Sequence, residues 1–289
     1  MFIKIIFLAV ISFFYTQLFS QYKGFKVTVT GKGQPIILIP GYSCSGDVWK
    51  ETVDHLKSKY ECHVLTLAGF AGAPAIDTPI LESVKNDILL YVKNKQLYKP
   101  ILIGHSLGAF MSLWVSSEQP ATFGKVICVD GLPFLAAVNN LAADAEQMKK
   151  DPRFNPEMVI QAFESLPDSG FVERTAQVMK SQVNDTARAR QIAKWQFASN
   201  RRTLGLALVE MSITDLRPNI SNIKQPVLVL GSLYGNKETS YKIIGEQYKN
   251  LPQAQIKVAE SKHFIMYDQP QWMYNEMDTF LDNKLSALH

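Results

Sequence analysis

At 289 residues, 47% apolar and 19% charged, the chain has the make-up of a soluble globule with an ample core, long enough for one α/β domain carrying an insertion. A formal net charge of only +4, with no lysine–arginine cluster, argues against a nucleic-acid partner. Three cysteines do not frame a disulfide scaffold, and with no CxxC, HExxH, Walker or complete GxGxxG pattern there is no metal or nucleotide cofactor to expect.

The chain opens with a short basic segment ending at Lys4, an almost unbroken apolar run from Ile5 to Phe14, and a descent to the small Ser20. That is the layout of a cleavable export signal, residues 1–20, with cleavage after Ser20. The apolar run is short for a span of about 20 residues, so an uncleaved anchor is the alternative. The expected mature chain is periplasmic or extracellular, without stable membrane insertion.

Strand and helix patterns then alternate. Phe25 to Thr30 alternates like an edge strand, Gly31 to Gly33 turns, and Pro35 to Ile39 reads as a buried strand. A helix is expected from Asp47, as N-cap, to Tyr60; a strand from Cys62 to Leu67; a helix from Leu81 to Lys95. The apolar Ile101 to Ile103 predicts a central strand, and Leu107, Phe110, Met111, Trp114 and Val115 mark one face of a helix ending near Pro120. Val126 to Val129 is a further strand. From 133 to 221 the pattern is helical only, with openings at Asn155-Pro156 and Asn184-Asp185. Alternation resumes with a strand from Pro226 to Leu230, a helix from Ser240 to Tyr248, a strand from Gln255 to Val258 and a last helix from Gln271 to Leu285. This order predicts a mostly parallel, doubly wound sheet formed by 21–132 and 222–289, interrupted by a helical block at 133–221. Ligands bind such sheets at the carboxyl ends of the strands. Cys62 and Cys128 fall in strands, where cysteine packs as a small hydrophobe; a Cys44–Cys62 bridge is the alternative in an oxidising compartment.

Between the central strand and its helix stands Gly104-His105-Ser106-Leu107-Gly108. This order puts a serine hydroxyl on a sharp strand-to-helix turn, flanked by residues small enough for the backbones to crowd. A serine hydroxyl is a poor nucleophile without a base. Of five histidines, His263 alone follows a buried strand and precedes the final helix, at the same sheet edge as Ser106. An oxyanion would need preorganised donors. The N–H of Leu107 and that of Tyr42, in the loop Pro40-Gly41-Tyr42-Ser43-Cys44-Ser45-Gly46, are the candidates; Ser43 and Ser45 bring hydroxyls to the same loop.

These segments resemble the α/β-hydrolase superfamily across residues 24–288. Gly41-Tyr42 with Trp49 resembles its oxyanion loop, Leu67 to Gly72 its glycine-rich turn, Gly104 to Gly108 its nucleophile elbow, and Lys262-His263-Phe264 its base loop. The helical block resembles the cap inserted between strands six and seven of the family's count, with Thr214 to Arg217 as the return. The resemblance implies ester hydrolysis of a small acyl substrate without a cofactor, and nothing in the pattern specifies an oligomer. Amides, lactones, thioesters or aminopeptidase substrates on the same scaffold, and a catalytically silent binding protein, are the alternatives. One departure stands out. The family's acid usually follows the strand read here as Val227 to Leu230, yet no aspartate occurs there. Asp130, ending the strand after the elbow helix, is the expected replacement, with Glu238 as the alternative and Asp215 or Asp268 behind it. The roof of the site is expected to draw on Phe134, Phe163, Phe171, Met179, Trp195, Phe197 and Met211.

Overall fold

The computed structural model describes residues 22–77 and 79–282. The expected export signal at 1–20 and the end of the last helix lie outside the described residues. The strands are β1 (Phe25–Gly31), β2 (Gln34–Ile39), β3 (Tyr60–Leu67), β4 (Ile101–His105), β5 (Val126–Val129), β6 (Val227–Gly231) and β7 (Ala254–Val258). They form one sheet in the order β1-β3-β2-β4-β5-β6-β7, with β1 antiparallel to β3 and every other pair parallel. Helices α1 (Lys50–Leu56), α2 (Ile80–Asn94) and α3 (Leu107–Glu118) connect the first strands. Helices α4 (Ala145–Lys150), α5 (Pro156–Glu164), α6 (Phe171–Met179), α7 (Thr186–Ala198) and α8 (Arg201–Ile213) all fall between β5 and β6, and α9 (Lys237–Gln247), α10 (Ile265–Asp268) and α11 (Pro270–Asp282) complete the chain. None of these helices is long and apolar enough to cross a membrane.

The period-two alternation of strand side chains sorts the core into two clusters, one on each face of the sheet. Ile37, Ile39, Leu102, Val126, Cys128, Val227 and Val229 pack with α2 and α3. Ile36, Leu38, Ile101, Ile103, Ile127, Leu228 and Leu230 pack with α1 and α11. Helix α3 was expected to bury one face, yet it is buried almost all round, Ser112, Ser116 and Ser117 included. A helix at the centre of the fold, covered on several sides, has no solvent face to mark. The helix expected from Asp47 is instead a 3₁₀ turn at Gly46–Trp49 leading into α1. Its cap is Ser45, whose side chain accepts from the Asp47 N–H. Cys44, Cys62 and Cys128 are buried free thiols, so no Cys44–Cys62 bridge exists in this structure.

The helical segment between β5 and β6 does not stand apart. Leu204, Leu206, Ala207 and Met211 of α8 join one face's cluster, while Val183, Ala189 and Ile192 join the other. It is also bolted to the core through backbone groups. Gly72 N donates to Ala198 O at 3.1 Å, Asn200 N to Gly69 O at 2.8 Å and Phe264 N to Gln182 O at 3.1 Å. The Glu210 carboxylate caps the start of α2 by accepting from Ile80 N at 2.9 Å and Leu81 N at 2.7 Å. Charged-acceptor bonds of this kind are the stronger class.

Candidate active site

Strand β4 lies between β2 and β5 and delivers Ser106 at φ 53, ψ −116, outside both helix and strand conformations. A non-glycine residue held there stores roughly 1–3 kcal/mol, and such strain persists only where its surroundings over-determine it. They do so here. Ser106 N donates to Val129 O at 2.9 Å, and Ser106 O accepts from Ala109 N at 3.0 Å and Phe110 N at 3.1 Å. The flanking glycines are sterically required: a Cβ on Gly104 would meet Gly108 O at 2.1 Å, and one on Gly108 would meet Ile39 O at 2.0 Å.

His263 sits in the loop between β7 and α10, with Nδ1 at 2.6 Å from Oδ2 of Asp130. Asp130 directly follows β5, is 5% exposed, and adopts φ 44, with its N–H donating to Leu230 O at 2.7 Å. Its carboxylate is held from a second strand. Ser232, the residue after β6, donates its N–H to Oδ1 at 2.7 Å and its hydroxyl to Oδ2 at 2.8 Å. With Oδ2 accepting from it, the Nδ1 of His263 carries the proton and Nε2 is left as the acceptor. Ser232 was not singled out from the sequence; it occupies the stretch where an acid was sought and supplies two donors instead. Burial, then the Asp130 charge, pushes the nearby Tyr234 phenol far above its usual range.

Ser106, His263 and Asp130 line one cavity of about 510 Å³. Among the described residues the Ser106 hydroxyl makes no hydrogen bond, so serine and histidine meet across this space rather than through a formed bond. Tyr42 lines it too, and neither the Tyr42 N–H nor the Leu107 N–H donates to another described residue. The first N–H groups of a helix have no intrahelical partner, which leaves that of Leu107, at the head of α3, available. The Tyr42 ring is anchored against Phe70 at 5.3 Å, and its hydroxyl donates to Leu204 O of α8 at 2.8 Å.

The other candidates lie elsewhere. Glu238 is exposed in the first turn of α9 and does not line the cavity. Asp215 pairs with Arg217 at 2.7 Å, and Asp268 accepts from Asn184 N at 2.9 Å and Lys262 N at 3.3 Å. Of the expected roof residues only Met179 and Met211 line the cavity. Phe134 lies under the Arg217 guanidinium, Phe171 and Phe197 sandwich toward Arg201, and Phe163 and Trp195 pack onto the core clusters. Leu135, Val138, Ile192 and Leu208 line it in their place.

His105, next to Ser106, is fully buried beneath the loop that carries His263. Its Nε2 donates to His263 O at 3.1 Å, and the two rings lie 4.6 Å apart. Burial first, then the neighbouring His263, pushes its pKa well below the usual 6.5. The folded chain therefore holds His105 neutral while the unfolded chain takes up a proton below that pH. Stability should be whole above about pH 6.5 and decline on acidification, by up to ~1.4 kcal/mol per pH unit for this one proton. Urea midpoints at about pH 7.5 and 5.5 should differ less for His105→Gln than for the wild type. Equal shifts would remove His105 as a source of the acid sensitivity.

Known proteins share this architecture. A profile of the Alpha/beta hydrolase family matches residues 36–276. The chain is 25% identical over 218 residues to a pimeloyl-[acyl-carrier protein] methyl ester esterase of Vibrio atlanticus, covering 72% of this chain and 77% of that one. In fold it is similar to the enol-lactonase of Burkholderia xenovorans, with a TM-score of 0.73, 13% identity, and coverage of 89% of this chain and 96% of that one. It is likewise similar to a thermophilic esterase of Thermogutta terrifontis, with a TM-score of 0.72, 17% identity, and coverage of 89% and 92%.

Proposed function

The chain belongs to the alpha/beta hydrolase family, and on that premise we propose that it hydrolyses a small carboxylic ester through Ser106, His263 and Asp130. The observation that carries this reading is the 2.6 Å contact between His263 and the buried Asp130, facing the strained Ser106 across one cavity. Ser106 Oγ adds to the ester carbonyl as His263 Nε2 takes its proton, and Asp130 stabilises the imidazolium that forms. The Tyr42 and Leu107 N–H groups receive the oxyanion. His263 then protonates the departing alkoxide, and water, activated by the same nitrogen, releases the acyl group.

The lining favours an ester over an aminoacyl amide. Among the described residues Asp130 is the sole carboxylate on the cavity, and three donors already occupy it. A substrate ammonium would find no counter-charge there, whereas a neutral ester with an apolar acyl group fits Leu135, Val138, Ile192, Leu208 and Met211. The esterase relative supports the same bond type. p-Nitrophenyl and methyl esters, a lactone and an aminoacyl amide, offered to wild type alongside fluorophosphonate labelling, test the reading. Turnover of the amide alone, or a folded protein that takes no label and cleaves none of them, would sink it.

We also propose export, on the basic, apolar and small-residue order of residues 1–20. N-terminal sequencing of the protein from its own cells should start at Gln21; an intact Met1 in the cytoplasmic fraction would refute export.

A further inference from the structure

The oxyanion loop contains a residue that a two-donor hole leaves unused. Cys44 N donates to Gly41 O at 3.1 Å, closing a turn whose third residue is Ser43. Ser43 adopts φ 60, in the left-handed region where a Cβ is strained and glycine is not. It is 2% exposed and lines the same cavity as Ser106 and Tyr42. Its hydroxyl bonds no other described residue, yet the oxygen is not among the polar atoms sealed off without a partner. The hydroxyl thus keeps a small exposed surface on a residue that lines the cavity. Ser45, two residues on, is different: its Oγ already accepts from Asp47 N at 3.1 Å.

We propose that the Ser43 hydroxyl is a third oxyanion donor, beside the N–H groups of Tyr42 and Leu107. The proposal rests on the reading of Ser106 as nucleophile. As the Ser106 Oγ–carbon bond forms, the carbonyl π pair moves onto oxygen and the serine proton passes to His263 Nε2. The Ser43 O–H turns toward that oxygen and keeps its own proton. On collapse the C=O bond re-forms, the carbon–alkoxide bond breaks, and the alkoxide takes the proton from His263. A hydroxyl is a rotor that can follow the charge as it develops, so its contribution falls on the transition state and hence on kcat rather than KM. Retaining a side chain where glycine would relax the turn fits a residue held for its hydroxyl, since strain of this kind gathers at functional sites.

Ser43→Gly and Ser43→Ala test this, because the first removes hydroxyl and strain together and the second removes the hydroxyl alone. Both should lower kcat about 10²-fold with KM little changed, the loss seen for one oxyanion donor. Both should weaken a trifluoromethyl ketone, whose hemiketal anion occupies the hole, by the same factor. The glycine variant should melt no lower than wild type. A Ser43→Gly enzyme with wild-type kcat overturns the proposal, as does a loss of kcat with unchanged ketone affinity. Fluorophosphonate labelling separates the two failures. A labelled wild type beside an undiminished Ser43→Gly sinks Ser43 alone; an unlabelled wild type sinks the nucleophile, and Ser43 with it.

Discussion

Ser106→Ala should lower kcat by about 10⁵- to 10⁶-fold, the scale on which loss of a serine nucleophile acts when base and acid depend on it. The fold should hardly register the change. The hydroxyl makes no bond among the described residues, and alanine keeps both the turn and its strain, so stability should move by no more than ~0.5 kcal/mol. The measurement is single-turnover hydrolysis of a p-nitrophenyl ester together with a thermal melt. Turnover within tenfold of wild type would mean that the chemistry sits on another group.

Asp130→Asn should cost about 10⁴-fold in kcat, and the reason is one of tautomer rather than of charge alone. Asp130 accepts from His263 Nδ1, so Nε2 is free to take a proton. An asparagine amide that donates to Nδ1 forces the ring proton onto Nε2, and the base then faces Ser106 already protonated. The same substitution sets an NH₂ group against the donors of Ser232 if it flips the other way, so a fall in stability of about 1–3 kcal/mol should accompany it. Glu238→Gln, on the exposed first turn of α9, should leave kcat unchanged. The reverse pattern, with the Asp130→Asn enzyme active and the Glu238→Gln enzyme dead, would move the acid to α9.

What could be read from the chain was what is local. The elbow is encoded within fifteen residues, Ile101 to Val115: an apolar run, two glycines that bracket a serine, and a helical face. Steric necessity at Gly104 and Gly108 makes that signature hard to mimic. Asp130 could be nominated because the end of a strand fixes which sheet edge a residue occupies. Ser232 could not, since its partnership with Asp130 spans 102 positions and replaces a carboxylate with two ordinary donors. The roof residues misled for a different reason. Helical spacing shows that a residue is buried, not against what, and the aromatics of the insertion turned to Arg201, Arg217 and the sheet's own clusters.

The join between the helical segment from β5 to β6 and the loop of His263 limits how this enzyme can be re-engineered. Phe264 N bonds Gln182 O, Lys262 Nζ reaches Lys180 O at 2.6 Å, and Asn184 N binds Asp268. Residues 180–184 thus form part of the seat on which His263 rests. A chimaera that exchanges everything from Pro133 to Ser221 for a foreign segment would replace part of the cavity lining and displace His263 in the same stroke. Grafts that stop short at Met179 and resume at Asp185 keep that seat native, and mark where this scaffold can be recombined.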